Sequence, residues 1–294
     1  MYSIPKYDLQ TAVELPPCQG PKLRRFRDFA GNIKFKKLLS NPVTEDSGAE
    51  KKRVDSSDIS TGGHGYVFEI DIEGETFALK IFKFCSIRKL RQAYASAWSD
   101  EVNDEILIYH SDPFFAECRA YGRMNEVSSV QESGKRNDPT VISRRKSDRT
   151  GRELAAPCHG FLALSTAKYD KIFRESFGIK DWSRSEDDKK LSQDQRQPFR
   201  ALVKTFLGSE KSMRRPRKML DDLKDLRSLG IFQRDIFARN YVDGLLVDFS
   251  LAETDPYWIW DLIRDEGRLL EKRKNAELHL MLFTELGRQT AASR

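Results

Sequence analysis

Three side chains in the last quarter of this 294-residue chain have the types and spacing that phosphoryl transfer needs. Asp235 is followed five residues later by Asn240, and Asp248 closes the apolar run Leu245-Leu246-Val247. A carboxylate in the first position can orient an attacking hydroxyl. A carboxamide and a second carboxylate can hold Mg²⁺ against phosphate oxygens. Far upstream, Ser60-Thr61-Gly62-Gly63-His64-Gly65-Tyr66-Val67 supplies a glycine-rich turn, and Ala78-Leu79-Lys80-Ile81 places a lysine on a β-rich run. Gly62 and Gly65 would let backbone amides approach phosphates with no Cβ in the way, and Val67 would begin the strand beyond them. Lys80 would then reach the α- and β-phosphates of a nucleotide.

The elements that must position these groups are readable in outline. Tyr66 to Ile72 and Thr76 to Phe82 form a hairpin around Glu73-Gly74. Asn240-Tyr241-Val242 and Leu245 to Phe249 form a second hairpin around Asp243-Gly244, which folds Asp248 back beside Asn240, where one cation could touch both. A competing reading makes Asp235 and Asp248 turn-capping carboxylates. Helices are expected over Ser86 to Tyr109 and Asp112 to Met124 from their apolar spacing. The motifs above resemble those of the protein kinases, which implies that a glutamate on one of these helices pairs with Lys80. Glu101, Glu105 and Glu117 all qualify, and Glu117 is favoured because it lies on the more apolar face of Phe114-Phe115-Ala116-Glu117-Cys118-Arg119. Phe199 to Leu207 and Met219 to Leu229 read as further helices, with Leu220, Leu223, Leu226 and Leu229 as an apolar stripe and Gly230 as the stop. His159 to Leu164 reads as a strand, and the kinase resemblance implies that it is the last before a hinge, with adenine meeting backbone near Ser165 to Ala167. Residues 125–153 are polar and read as a disordered insertion. Residues 181–197 are a second polar stretch. Residues 22–39 and 211–218 are strongly basic; the first reads as an amphipathic, solvated helix.

The order of glycine turn, hairpin, lysine, Arg234-Asp235, Asn240 and Asp248-Phe249 resembles the protein-kinase-like superfamily. Gln233 stands where that family has His, Ser250 where it has Gly, and Ser60 where it has its first glycine. The resemblance implies an α+β, two-lobed protein-kinase-like fold. It would have an N-terminal extension over 1–53, a small antiparallel-sheet N-lobe over 54–167, and a truncated, mostly helical C-lobe over 168–294. It implies ATP and Mg²⁺ as cofactors. Gly62, Gly65, Val67, Lys80 and Glu117 would bind the nucleotide, and Asn240 and Asp248 the metal. No Ala-Pro-Glu follows Ser250, and Phe237 stands where Ser/Thr kinases carry a lysine. Ala238-Arg239-Asn240 instead resembles the tyrosine-kinase loop, which adds Arg239 to Asp235 and Lys80 as catalytic residues. A peptide platform is therefore not expected, and the acceptor would be a small molecule or another unusual group.

Two narrower resemblances follow. Glu117 to Arg123, with Arg234 to Ser250, is similar to a fungal kinase-like domain named for a kinetochore-complex subunit. Asp221-Asp222-Leu223-Lys224-Asp225 is similar to the Asp-Asp-x-x-Glu motif of fungal arginine-containing cyclodipeptide synthases, with Asp in the last place. That likeness implies a tRNA-dependent transferase of secondary metabolism with no need of ATP or metal. Its basic segments 22–39 and 211–218 would bind tRNA phosphates and an acidic pocket would bind the guanidinium. A third possibility is a pseudokinase interaction module.

Bulk properties bound these readings. A chain with 39% hydrophobic residues can bury a core, and a net charge of +6 suits an anionic partner such as nucleotide or nucleic acid. Cys18, Cys85, Cys118 and Cys158 are scattered with no paired spacing, which argues against a zinc site or disulfide framework. No secretory leader and no apolar run of about 18 residues occurs, so no membrane span and an intracellular location are expected.

Overall fold

The computed structural model describes residues 22–26, 31–40, 63–94, 104–132, 153–208 and 216–255. They fall into two compact units, one from 22–118 with 158–206, the other from 119–157 with 207 onward.

The first unit is organised by a five-stranded antiparallel sheet. Its strands are β1 (Lys34–Leu38), β2 (Gly65–Ile72), β3 (Glu75–Phe82), β4 (Cys158–Leu164) and β5 (Phe199–Thr205), in the spatial order β1-β2-β3-β5-β4. Strand β2 alternates cleanly, with Tyr66, Phe68, Ile70 and Ile72 buried. Glu73 and Gly74 both take left-handed backbone (φ 55° and 87°), the two-residue turn expected between β2 and β3. One face of the sheet carries Phe68, Phe77, Leu79, Ile81, Ala201 and Val203 into an apolar core. Helix α4 (Thr166–Phe177) lays Tyr169 and Phe173 on that face, and Phe173 packs 5.0 Å from Trp182 and 5.1 Å from Phe199. Aromatic contacts of this kind add roughly 0.5–1.5 kcal/mol each beyond the area they bury.

Several expectations are corrected here. Phe199 to Leu207 is not a helix; its first seven residues are strand β5, six of them buried. Leu202 breaks the polar alternation that marks a strand, and Arg200 and Lys204 fall four residues apart, as on one helix face. Strand β4 is accordingly not the last, and no hinge follows it. Ser165 instead caps α4, its side chain accepting from the Lys168 amide, and Gly178 closes the helix with φ 68°. Within the basic segment 22–39, Lys34–Leu38 is strand β1 and not helix, and Phe35 packs edge-on against Phe68 and Phe173. Arg24 and Phe26 run beside β4, where the Phe26 amide donates to Phe161 O and the Phe161 amide to Arg24 O. Gly160 makes this approach possible, because a Cβ there would lie 2.6 Å from the Phe26 nitrogen and its φ is +142°.

The polar stretch 181–197 is ordered by one buried arginine. Arg184 pairs with Asp188, donates to Gln197 O and Thr166 Oγ1, and stacks 4.2 Å above Phe84 and 4.6 Å from Phe199. Short helix α5 (Glu186–Lys190) begins at Ser185, which caps the Asp188 amide.

Within 86–109 the described helices are α1 (Ile87–Tyr94) and α2 (Asp104–Ser111). Helix α3 (Pro113–Glu132) starts with Asp112 accepting from the Phe114 amide and proline in the first turn. It runs past Met124, so residues 125–132 of the expected disordered insertion are helical. Residues 133–152 lie outside the described residues, as do most of the basic segment 211–218 and residues 256–294.

In the second unit, helix α6 (Pro216–Ser228) buries Met219, Leu223 and Leu226 and ends at Gly230 with φ 76°. Strands β6 (Ile231–Phe232) and β9 (Glu253–Thr254) pair with each other. Strands β7 (Tyr241–Val242) and β8 (Leu245–Leu246) form the tight hairpin, its Asp243 and Gly244 at φ 49° and 78°. Tyr121 packs 5.2 Å from Phe249, and the Ala156 amide donates to Leu246 O.

Candidate functional site

The chemistry-bearing groups form one cluster in each unit. In the first, the β2–β3 register sets Val67 opposite Lys80, and the β3–β5 register sets Lys80 opposite Leu202 and Ala78 opposite Lys204. Residues opposite each other in an antiparallel pair share a face, so Val67, Lys80 and Lys204 all project away from the aromatic core. Helix α3 covers that face. Phe114 packs 5.4 Å from Phe82, and Arg200 on β5 pairs with Asp112 at 2.9 Å. Glu117 lies a turn further along. Its Oε2 is 2.8 Å from Lys80 Nζ, and its Oε1 bonds Lys204 Nζ. Glu117 is 0% exposed, with Lys80 and Lys204 at 6% and 5%. Lys80 also sits 5.0 Å over the Phe82 ring.

Of the three candidate glutamates, Glu117 is the one whose described side chain meets Lys80. Glu101 lies outside the described residues, and Glu105 belongs to α2 without a described side chain. Gly62 also lies outside them. Gly65 opens β2, and a Cβ there would sit 2.3 Å from Ile81 O, so the close approach of β2 to β3 by itself demands glycine.

Lys204 is a site residue that the helix expected over Phe199 to Leu207 conceals. The signal was there once the strand is known: Arg200, Leu202 and Lys204 recur at period two, putting two cations on the face that the α3 carboxylates cover. Cys158, directly opposite Lys204, has its thiol pushed up to about 12, chiefly by burial.

In the second unit, Gln233 organises the loop. Its Nε2 donates to Asp235 O (3.2 Å) and Asp248 O (2.7 Å), tying together the two stretches that carry the carboxylates. Asn240 Nδ2 also donates to Asp235 O, at 2.9 Å. The hairpin closes with the Val247 amide on Asn240 O, as its Asp-Gly turn requires. Arg239 Nη2 bonds both oxygens of Asp235, at 3.0 and 3.1 Å, and its guanidinium stacks 4.2 Å from Phe237, which is 45% exposed. Asp248 Oδ1 accepts from the Ser250 amide at 2.8 Å, so one oxygen of this carboxylate caps the following turn.

This donor set suits Mg²⁺, which takes one or two protein carboxylates and completes its octahedron with water and phosphate oxygens. Asn240 and Asp248 are the residues that would hold such an ion. Among the described residues no group of three or more His, Cys, Asp or Glu side chains forms a metal cage. None of their helices is long and apolar enough to cross a membrane.

These features define a mixed α+β protein: a five-stranded antiparallel sheet bearing a buried two-lysine, one-glutamate cluster, and a second unit bearing a hydrogen-bonded Asp–Asn–Asp loop. The chain belongs to the family described as kinetochore Sim4 complex subunit FTA2, whose profile matches residues 11–134 and 143–253. No curated protein and no solved structure matches it. Membership of a family of kinetochore complex subunits places the chain inside the cell, among protein partners of a complex.

Proposed function

We propose that this chain is a kinase-like member of the kinetochore-subunit family that binds Mg-nucleotide and transfers its terminal phosphoryl group to a small-molecule or other non-peptide acceptor. Lys80 holds the α- and β-phosphates and Glu117 fixes Lys80. Asn240 and Asp248 bind Mg²⁺, and Asp235 orients the acceptor hydroxyl, with Arg239 fixing the carboxylate of Asp235. The observation that carries the reading is the 2.8 Å pair between Lys80 Nζ and Glu117 Oε2, buried between β3 and α3. A buried ammonium aimed at a helix carboxylate is the arrangement phosphoryl transfer uses to present a lysine to phosphate.

The synthase reading draws on Asp221 and Asp222. Asp221 pairs with Lys224 at the surface, while Asp222 is buried and pairs with Lys218, so the two carboxylates occupy different faces of α6 and do not converge on one guanidinium. That arrangement favours the phosphoryl reading.

The test is a thermal melt of the full chain with and without millimolar Mg-ATP, followed by a phosphoryl-transfer assay against a metabolite panel. A ligand that binds only the folded state raises the melting point, by a free energy of about 2.7 kcal/mol at a hundredfold excess over Kd. Asp235→Ala should keep the melting shift and lose transfer. A melt that Mg-ATP leaves unmoved would remove the nucleotide reading and leave a scaffold subunit of the complex.

A further inference from the structure

The geometry points to Lys204 as a second phosphate-binding ammonium beside Lys80, so that this chain grips a di- or triphosphate with two lysines from neighbouring strands. The inference rests on the nucleotide reading above and goes beyond it, since that reading uses Lys80 alone.

The sheet register makes the pairing unavoidable. Lys80 on β3 and Lys204 on β5 are diagonal neighbours on one face, with Ala78 and Leu202 as the other corners of the square. Both side chains then reach the same carboxylate, one on each oxygen of Glu117. Two ammoniums bonded to the two oxygens of one carboxylate lie within a few ångströms of each other, a spacing that neighbouring phosphates of a polyphosphate also have. The two side chains are buried to nearly the same degree. Lys80 lies opposite Val67, nearer the glycine turn, and Lys204 lies one pair further along the same face, so the two ammoniums are placed to meet successive phosphates. Lysine serves phosphate as a compact point charge, so two of them can share one polyphosphate without the planar match that arginine requires.

The experiment titrates the full chain with inorganic tripolyphosphate, with Mg-ATP, and with adenosine as a phosphate-free control. Lys204→Met should weaken tripolyphosphate and Mg-ATP by about tenfold or more, as expected for one charge-assisted bond, and by an amount similar to Lys80→Met. Adenosine should bind each variant as it binds the wild type. Unchanged polyphosphate affinity in Lys204→Met, with affinity lost in Lys80→Met, would overturn the inference, leave the nucleotide reading standing, and reduce Lys204 to a brace for Glu117. Wild-type chain that binds no polyphosphate would overturn both. A second measurement needs no variant. Pyridoxal phosphate condenses through its aldehyde with an amine, losing water, and borohydride fixes the imine as a stable secondary amine. Peptide mapping should find adducts on both Lys80 and Lys204, each suppressed by Mg-ATP. Adducts on Lys80 alone, or on neither lysine, would count against the two-lysine site.

Discussion

Replacing Glu117 with Gln tests the cluster on which the first unit's chemistry rests. The substitution keeps the shape of the side chain and removes its charge. Lys80 and Lys204, 6% and 5% exposed, then face a neutral amide that can turn only its oxygen to one of them. Its NH₂ group must point at the other ammonium. Removing one partner from a buried ion pair costs about 3–5 kcal/mol, because the remaining charge stays buried without compensation. For a chain of this size each kcal/mol lowers the melting point by about 2–4 °C, so the variant should melt roughly 6–20 °C below wild type. Urea denaturation followed by tryptophan fluorescence gives the same quantity independently. The triple variant Lys80→Met, Glu117→Leu, Lys204→Met should recover most of this loss, since well-packed apolar side chains of similar volume often match or exceed a buried ionic cluster. A loss below about 1 kcal/mol in Glu117→Gln, the range of an exposed pair, would refute the claim that this cluster is buried and mutually dependent.

Other outcomes follow from single residues. Gly65→Ala should destabilise by about 1–3 kcal/mol through overpacking, because its Cβ would meet backbone at Ile81 O rather than a flexible side chain; a neutral melt would show that β2 and β3 can separate there. Arg184→Met should leave Asp188 buried without its partner, cost about 3–5 kcal/mol, and open residues 181–197 to limited proteolysis. Cys158 affects stability at high pH. Its thiol ionises near 9.0 in the unfolded chain and about 12 in the folded one, so the fold loses stability as pH rises from 9.0 through about 12 and is unaffected below that window. Burial also raises the Tyr241 hydroxyl, which adds to the loss at the alkaline end. Cys158→Ala should flatten part of the slope in pH-dependent denaturation; an unchanged slope would remove Cys158 as its source.

The hairpins and turns were legible because their signals are local. Glu73-Gly74 and Asp243-Gly244 announce left-handed turns, and the structure has positive φ at all four residues. The stop at Gly230 was legible for the same reason. What failed was the reading of strands whose signal depends on their neighbours. Strand β5 is covered on both faces, so Leu202 interrupts its alternation, and Arg200 and Lys204, four residues apart, have the spacing of one helix face. Strand β1 misled in the opposite way: its lysines and phenylalanines suggested an amphipathic helix, while Phe35 serves the sheet core. Glu117 could be favoured by its apolar setting, but that it holds two lysines could not be read, because the second lies on the misassigned strand. The Gln233 bridge was likewise unreadable: a glutamine in the place of a histidine gives no hint that one amide nitrogen spans two carbonyls.

The crossing at Gly160 has a consequence for how copies of this chain meet. Arg24 and Phe26 occupy the outer flank of β4 with backbone hydrogen bonds, so that flank cannot accept a foreign strand. In the five-stranded sheet the other edge is the outer rim of β1, and Lys34, Lys36 and Lys37 are exposed along it. Two identical rims brought together would stack lysine on lysine, so their shared charge resists fibrillar growth where an uncharged rim would invite it.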